Sequence, residues 1–239
     1  MDQKHTKSLS ISLYTVVVCV MIVIAYAGSS AVTAISEIAP IKNRYTIIID
    51  AGHGGLDGGA TSCTGIAEKT LNLEFAIRLN DLLHLLGIET VMIRSEDTSV
   101  DTSGDTIAAR KISDLKQRVK IVNNTNDGVL ISIHQNYFTD SQYYGPQVFY
   151  SKTSGSEIFA NDIQQAFNVH ISNGKGRKTK EAKGIYLMEQ IKCPGILIEC
   201  GFLSNPQEES LLRDSEYQKK LCCIIASVTG KYISGRTSA

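Results

Sequence analysis

The chain predicts a single α/β domain: a mostly parallel, twisted sheet with helices on both faces. Three observations point there. Short apolar, β-branched runs recur at Thr46–Asp50, Val129–Ile133 and Ile196–Ile198, as buried parallel strands require. Segments with helical apolar spacing alternate with them, which is the pattern of βα units. Each run then breaks into a turn or loop that carries a titratable residue: His53, His134 or Glu199. In open α/β sheets, ligands bind at that C-terminal edge of the strands.

Residues 1–27 read as an export segment, 28–44 as a linker containing Pro40, and 45–239 as one domain. Lys4 and Lys7 precede an apolar stretch from Ile11 to Ala27, and small residues from Gly28 to Ala31 follow it. A positive flank, an apolar core and small residues make a signal peptide, with Ala25, Tyr26 and Ala27 as an A-x-A cleavage site. The apolar core, about 17 residues long, is also just long enough to span a bilayer. Cleaved signal peptide and retained membrane anchor therefore both fit. The two lysines keep the N-terminus inside and send the domain outside.

Within the domain, the first strand is expected at Tyr45–Asp50, followed by a Gly-rich loop to Gly65. Glu68–Leu86 reads as a helix, because Leu71, Phe75, Leu79, Leu82, Leu83 and Leu86 share one face. Gly87 supplies its C-terminal stop. Ile88–Arg94 reads as the second strand. Ser95–Lys111 is polar and reads as irregular, a candidate lid or contact surface. A helix over Leu115–Asn124 leads through a turn at Asn126–Gly128 into the third strand, which ends at His134. Gln147–Ser151, Gly184–Glu189 and Ile196–Glu199 complete the strands. Glu157–Ser172, a short helix opening at Asn205-Pro206, and Ser215–Ile233 complete the helices.

Lys and Arg total 24, as do Asp and Glu, and no basic stripe is present, so nucleic acid is not an expected partner. The one dense basic run, Lys175–Lys180, reads as a solvated loop, or more sharply as a patch for an anionic polymer. Six cysteines in an exported chain raise the question of disulfides. Cys19 lies in the apolar segment, Cys200 in a strand, and Cys222 and Cys223 in a helix, where a thiol acts as a small hydrophobe. Only Cys63 and Cys193 fall in loops, so free thiols are expected.

A lone histidine at a strand end is usually a hydrogen-bonded structural residue, and Glu68 alone reads as a charge favouring a helix N-terminus. Two such histidines and a carboxylate, however, make a three-ligand Zn²⁺ site with a position open for water. Glu199 closes an apolar strand, and a carboxylate there needs a partner or a task. A dinucleotide site is excluded. Gly52 and Gly54 begin a G-x-G pattern, but Asp57 stands at the third glycine position and Arg94 where an acidic ribose partner is needed. The glycines instead allow the backbone to pack closely beside His53. His84 and His170 read as structural, and Cys63 as a poor candidate ligand.

The run from Ile48 to Ala60, with Asp50, Gly52, His53, Gly54, Gly55, Asp57, Gly58 and Gly59, resembles the opening signature of the amidase-3 family of zinc N-acetylmuramoyl-L-alanine amidases. Glu68, Lys69 and Asn72 match its second ligand block, Ser132, His134 and Asn136 its third, and Glu199 with Gly201–Pro206 the block of its catalytic glutamate. The likeness spans about residues 45–234 in the right order, and is strongest to spore-cortex members from endospore-forming Firmicutes. It implies Zn²⁺ held by His53, Glu68 and His134, and Glu199 as catalytic base. The substrate implied is peptidoglycan, glycan strands and stem peptides, cut between N-acetylmuramic acid and L-alanine as a first step towards muramic-δ-lactam. The place implied is extracytoplasmic, in the forespore intermembrane space or cell wall. Clostridial relatives further imply an activating lipoprotein partner. Arg118 matches a recurrent position, structural or substrate-orienting. Ala51, Gln135 and Cys200 depart from the usual residues without removing a ligand. Tyr137–Pro146 is too short for the inhibitory helix of some relatives, which implies an open groove. Two other readings stay open from the residues alone: a zinc peptidase or deacylase on another substrate, and an amidase inactive without its partner. A non-catalytic wall-binding module would have lost one of the four residues, and all are present.

Overall fold

The structure, a computed structural model, describes residues 45–171 and 176–237. The signal, anchor and linker expectations for residues 1–44 lie outside these. In chain order the elements are β1 (Thr46–Ala51), α1 (Glu68–Leu85), β2 (Thr90–Met92), α2 (Ile107–Asn124), β3 (Gly128–Asn136) and β4 (Gln147–Tyr150). They continue with α3 (Ser156–His170), β5 (Lys180–Glu181), α4 (Tyr186–Gln190), β6 (Gly195–Phe202), α5 (Pro206–Arg213) and α6 (Ser215–Thr237).

The sheet runs β2-β1-β3-β6-β4-β5. All pairings are parallel except β4 against β6. The three central strands are the three apolar runs, buried on both faces because helices cover both. Strand side chains alternate, so two cores form. On the first face Ile47, Ile49, Ile131, Ile133 and Ile198 pack with Phe75 and Leu79 of α1, Phe159 and Phe167 of α3, and Ile225 of α6. On the second face Ile48, Leu130 and Leu197 lie under Val122 of α2 and Leu187 and Met188 of α4. Two residues further along each strand, that second face turns polar: Asp50 follows Ile48, Ser132 follows Leu130, and Glu199 follows Leu197. The core therefore ends where the chemistry begins.

Several sequence expectations need correction. Gly184–Glu189 is not a strand; Tyr186–Gln190 is helical, and its Leu187 and Met188, with Ile191 just after, pack down onto the sheet instead of joining its edge. α2 starts at Ile107, eight residues before the expected Leu115, because Thr106 caps it by accepting from the Ala109 amide at 3.1 Å. Only 95–106 of the expected irregular segment is loop. β2 is three residues rather than seven. β5 is a two-residue strand with no sequence signal. In α1 Leu71, Phe75, Leu79 and Leu83 are buried as expected, but Leu86 is exposed. Gly87 turns the chain at φ 70° and donates to the His84 carbonyl. The five described cysteines are free thiols; Cys223 is exposed, not packed. Among the described residues no helix is long and apolar enough to cross a membrane.

Candidate metal and catalytic site

Four segments bring the site residues together at the C-terminal edge of the sheet. His53 follows β1, Glu68 is the first residue of α1, His134 lies near the end of β3, and Glu199 lies in β6. His134 and Glu199 are register partners on adjacent strands, so their side chains rise from the same face. The register shifts just beyond them, between His134 and Asn136, which is how a sheet re-aims side chains beside a site. His53, Glu68 and His134 each offer a ligand atom within 4.8 Å of the others.

Glu68 sits between the two imidazoles. Its Oε2 is 3.2 Å from His53 Nε2, and its Oε1 is 2.9 Å from His134 Nδ1. Asn72, one turn along α1, donates to Glu68 Oε1 at 3.1 Å, and the Gln135 amide donates to the same oxygen at 3.2 Å. Burial alone would raise Glu68, but the two histidines hold its carboxyl well below the usual range. His53 Nδ1 faces Asp57 Oδ2 at 2.8 Å and donates to it. That bond orients Nε2 towards Glu68, the arrangement by which a carboxylate prepares an imidazole for a metal. Burial would lower His53, but its bonds to Asp57 and Glu68 outweigh this and raise it to about 9.

The loop is shaped for close approach. His53 itself has φ 61°, a left-handed conformation that costs a non-glycine residue on the order of 1–3 kcal/mol. Arg118 holds it there: Nη2 donates to the His53 carbonyl at 2.7 Å and Nη1 to the Ala51 carbonyl at 3.0 Å. Arg118 also pairs with the buried Asp50 at 2.5 Å and with Asp114 at 2.6 Å. It is thus a positioning residue for the His53 turn, which gives the structural reading of Arg118 its contacts. Two glycines make the space. A Cβ on Gly52 would overlap the His134 ring, and one on Gly59 would lie 2.5 Å from Glu68 Oε2.

Glu199 differs from the other three. Its Oε2 is shielded from solvent and has no hydrogen-bond partner among the described residues. Burial pushes its carboxyl up to about 7, with His134 and His53 opposing the shift and Glu68 adding to it. A carboxylate with one shielded, unpartnered oxygen, pushed up towards neutrality beside a cluster of metal-type donors, suits proton transfer. His, Glu and His side chains with this spacing fit Zn²⁺, and the cradle glycines and the oriented His53 fit it as well.

The surrounding loops are tied down. Lys69 bridges the Gly55 carbonyl and Asp97, each at 2.7 Å, and so fastens the Gly-rich loop to residues 95–99. Arg177, from the basic run, donates to the Tyr144 carbonyl and Gln147 and lies over the Phe202 ring, so it braces the 137–146 loop instead of presenting a free charge. No inhibitory helix occupies 137–146. His84 is structural, bonded to Thr90 at 2.7 Å. Sequence reasoning missed Asp57 and Asn72 as orienting partners, although both lay inside the quoted motifs.

The family model for N-acetylmuramoyl-L-alanine amidases matches residues 47–228. The chain belongs to this amidase family. It is similar to the germination-specific N-acetylmuramoyl-L-alanine amidase of Bacillus subtilis, 41% identical over 188 residues, covering 78% of each chain. Among solved structures it is similar to the CwlD amidase from Clostridioides difficile in complex with the GerS lipoprotein, at 37% identity and TM-score 0.75, covering 79% of this chain and 98% of that one. The N-acetylmuramoyl-L-alanine amidase from Clostridium difficile 630 is also similar, at 32% identity and TM-score 0.70, covering 81% and 98%. All four site residues fall within the stretch that matches the amidase family.

Proposed function

We propose that this protein is a zinc-dependent peptidoglycan amidase that cuts between the lactyl group of N-acetylmuramic acid and the L-alanine of the stem peptide. The observation that carries the reading is the shielded Oε2 of Glu199, unpartnered among the described residues, opposite His134 and beside a His53–Glu68–His134 donor set. His53, Glu68 and His134 would hold Zn²⁺. When bound, the ion supplies a Lewis acid that favours charge building on the scissile carbonyl oxygen.

The chain's own residues do the rest. Glu199, as a carboxylate, takes a proton from the attacking water while the water oxygen bonds to the lactyl carbon. As the carbon–nitrogen bond breaks, the same oxygen returns that proton to the alanine nitrogen. A group titrating near 7 can do both at neutral pH. Asp57 and Asn72 keep His53 and Glu68 aligned throughout.

Residues 1–27 would carry the domain across a membrane as a cleaved signal or a retained anchor, with 28–44 as linker. Similarity to the germination-specific amidase supports a role in the spore cortex, on the extracytoplasmic face of a membrane. Similarity to an amidase solved with a lipoprotein supports a lipoprotein partner here.

The test is hydrolysis of defined muropeptides by the full-length protein, with and without Zn²⁺, read by mass spectrometry. Free stem peptide beginning at L-alanine should appear only with metal. Glu199→Gln should lose about 10²–10⁴-fold in rate, the range general-base loss gives, while binding Zn²⁺ as the wild type does. Cleavage within the stem, or full activity of Glu199→Gln, would overturn the reading.

A further inference from the structure

The second face of the sheet is incompletely covered near the site. α2 and residues Gly184–Leu187 flank a cavity of about 470 Å³ whose floor is Asp50, Ser132 and Leu197. His53 and His134 also line it, so it opens beside the reactive groups. That volume lies in the roughly 300–1,000 Å³ range of ligand pockets. The walls are apolar: Leu115 on the α2 side, Ile185 and Leu187 opposite. Leu56, Ile107 and Tyr186 line it too, although they are 69%, 75% and 39% exposed. Scattered apolar side chains on a surface need no explanation, but three around one concavity beside a reactive site mark a binding surface.

The charges in the cavity divide into satisfied and available. On the floor, Asp50 is matched by Arg118 and by the Ser132 hydroxyl, which donates to it at 2.6 Å. Asp114 is matched by Arg118. Lys111, half exposed, is 3.1 Å from Asp57. Arg110 is exposed; its Nε donates to the Gly104 carbonyl at 2.9 Å, and no carboxylate pairs with it among the described residues.

We propose that this cavity is the stem-peptide subsite, with Arg110 reading a carboxylate of the bound peptide. The inference rests on the amidase reading above. Shape favours the peptide over the glycan. A glycan strand continues past the site in both directions and cannot end in a pocket backed by the sheet, whereas a stem peptide is a branch with a free end. Chemistry favours it as well. The methyl and methylene groups of a stem match the apolar walls, and its free carboxylates match a guanidinium, which binds carboxylate through paired hydrogen bonds. Position is the third argument, since the peptide nitrogen must depart from beside Glu199, on the same face as the cavity floor.

Calorimetric titration of the full-length, zinc-loaded protein with free L-Ala-γ-D-Glu-diaminopimelate reads the subsite without turnover. Saturable binding is expected, weakened tenfold or more by Arg110→Gln, which removes the cation, and by Leu115→Trp, which fills the cavity. Arg110 is exposed, so its variant keeps the test sound if Leu115→Trp fails to fold. In parallel, the preference for long-stem over short-stem muropeptides should fall tenfold or more in Arg110→Gln, through KM and not kcat. Absence of saturable binding, or equal binding by wild type and variants, overturns the proposal. Peptide binding without any hydrolysis counts against the amidase reading alone.

Discussion

At the scale of single residues, protonation would oppose the proposed metal at His53 and the proposed base at Glu199. His53 is raised to about 9 by Asp57 and Glu68. In the metal-free protein its charged form therefore contributes stability that is fully present below about pH 6.5, the unfolded value, and is lost as pH rises through about 9. Metal needs the neutral ring, so Zn²⁺ affinity should move the opposite way, strengthening from pH 6.5 to 9 with release of a proton. Thermal melts of the metal-free protein and Zn²⁺ titrations across that window check both directions; a flat affinity would contradict the His53 assignment. The residues with this chemistry were legible in the sequence because strand ends and glycines mark them. Asp57 and Asn72 were less so, since their task depends on which atoms of His53 and Glu68 they meet, and spacing does not encode that.

At the scale of elements, the His53 turn is held by α2 more than by its own loop. Arg118 reaches from the helix to two backbone carbonyls and to Asp50. Arg118→Met should cost about 3–5 kcal/mol, because it strands the buried Asp50 carboxylate, and should weaken Zn²⁺ binding by releasing His53 from its left-handed conformation. Denaturant unfolding and metal titration read the two effects. Asn205 caps α5 by accepting from the Gln207 and Glu208 amides, and donates to the Ser141 carbonyl at 2.8 Å. Asn205→Ala should destabilise by about 1 kcal/mol and loosen the 137–146 loop, seen as faster amide exchange there. The sequence places α1, α3 and α6 well because each shows a full apolar stripe. It misses the first two turns of α2, where Ile107, Arg110, Lys111 and Ile112 are exposed and carry no periodic signal. It misassigns Tyr186–Gln190 because five residues are too few to separate a helical from an extended period.

At the scale of the whole molecule, the sheet joins two different environments. One face is a continuous apolar core under α1, α3 and α6; the other is apolar only halfway along and then opens into a polar floor, a cavity and the site. Parallel order was legible from three buried runs, but β4 running against β6 was not, because a short strand reads the same in either direction. All four site residues lie in or just after the sheet's central strands or at the start of α1, so ligand and fold are coupled. Zn²⁺ at 100-fold above its Kd should stabilise the protein by about 2.7 kcal/mol, and chelation should lower Tm accordingly in a scanning calorimeter. In the proposed mechanism, water attacks the lactyl carbonyl next to Glu199. Hydrolysis in ¹⁸O-water, followed by mass spectrometry of both products, tests it most directly. One label in the lactyl carboxylate of the muramic acid, and none in the peptide that begins at L-alanine, is the expected result; label in a peptide carboxylate would mean that a different bond is cut and would contradict the account.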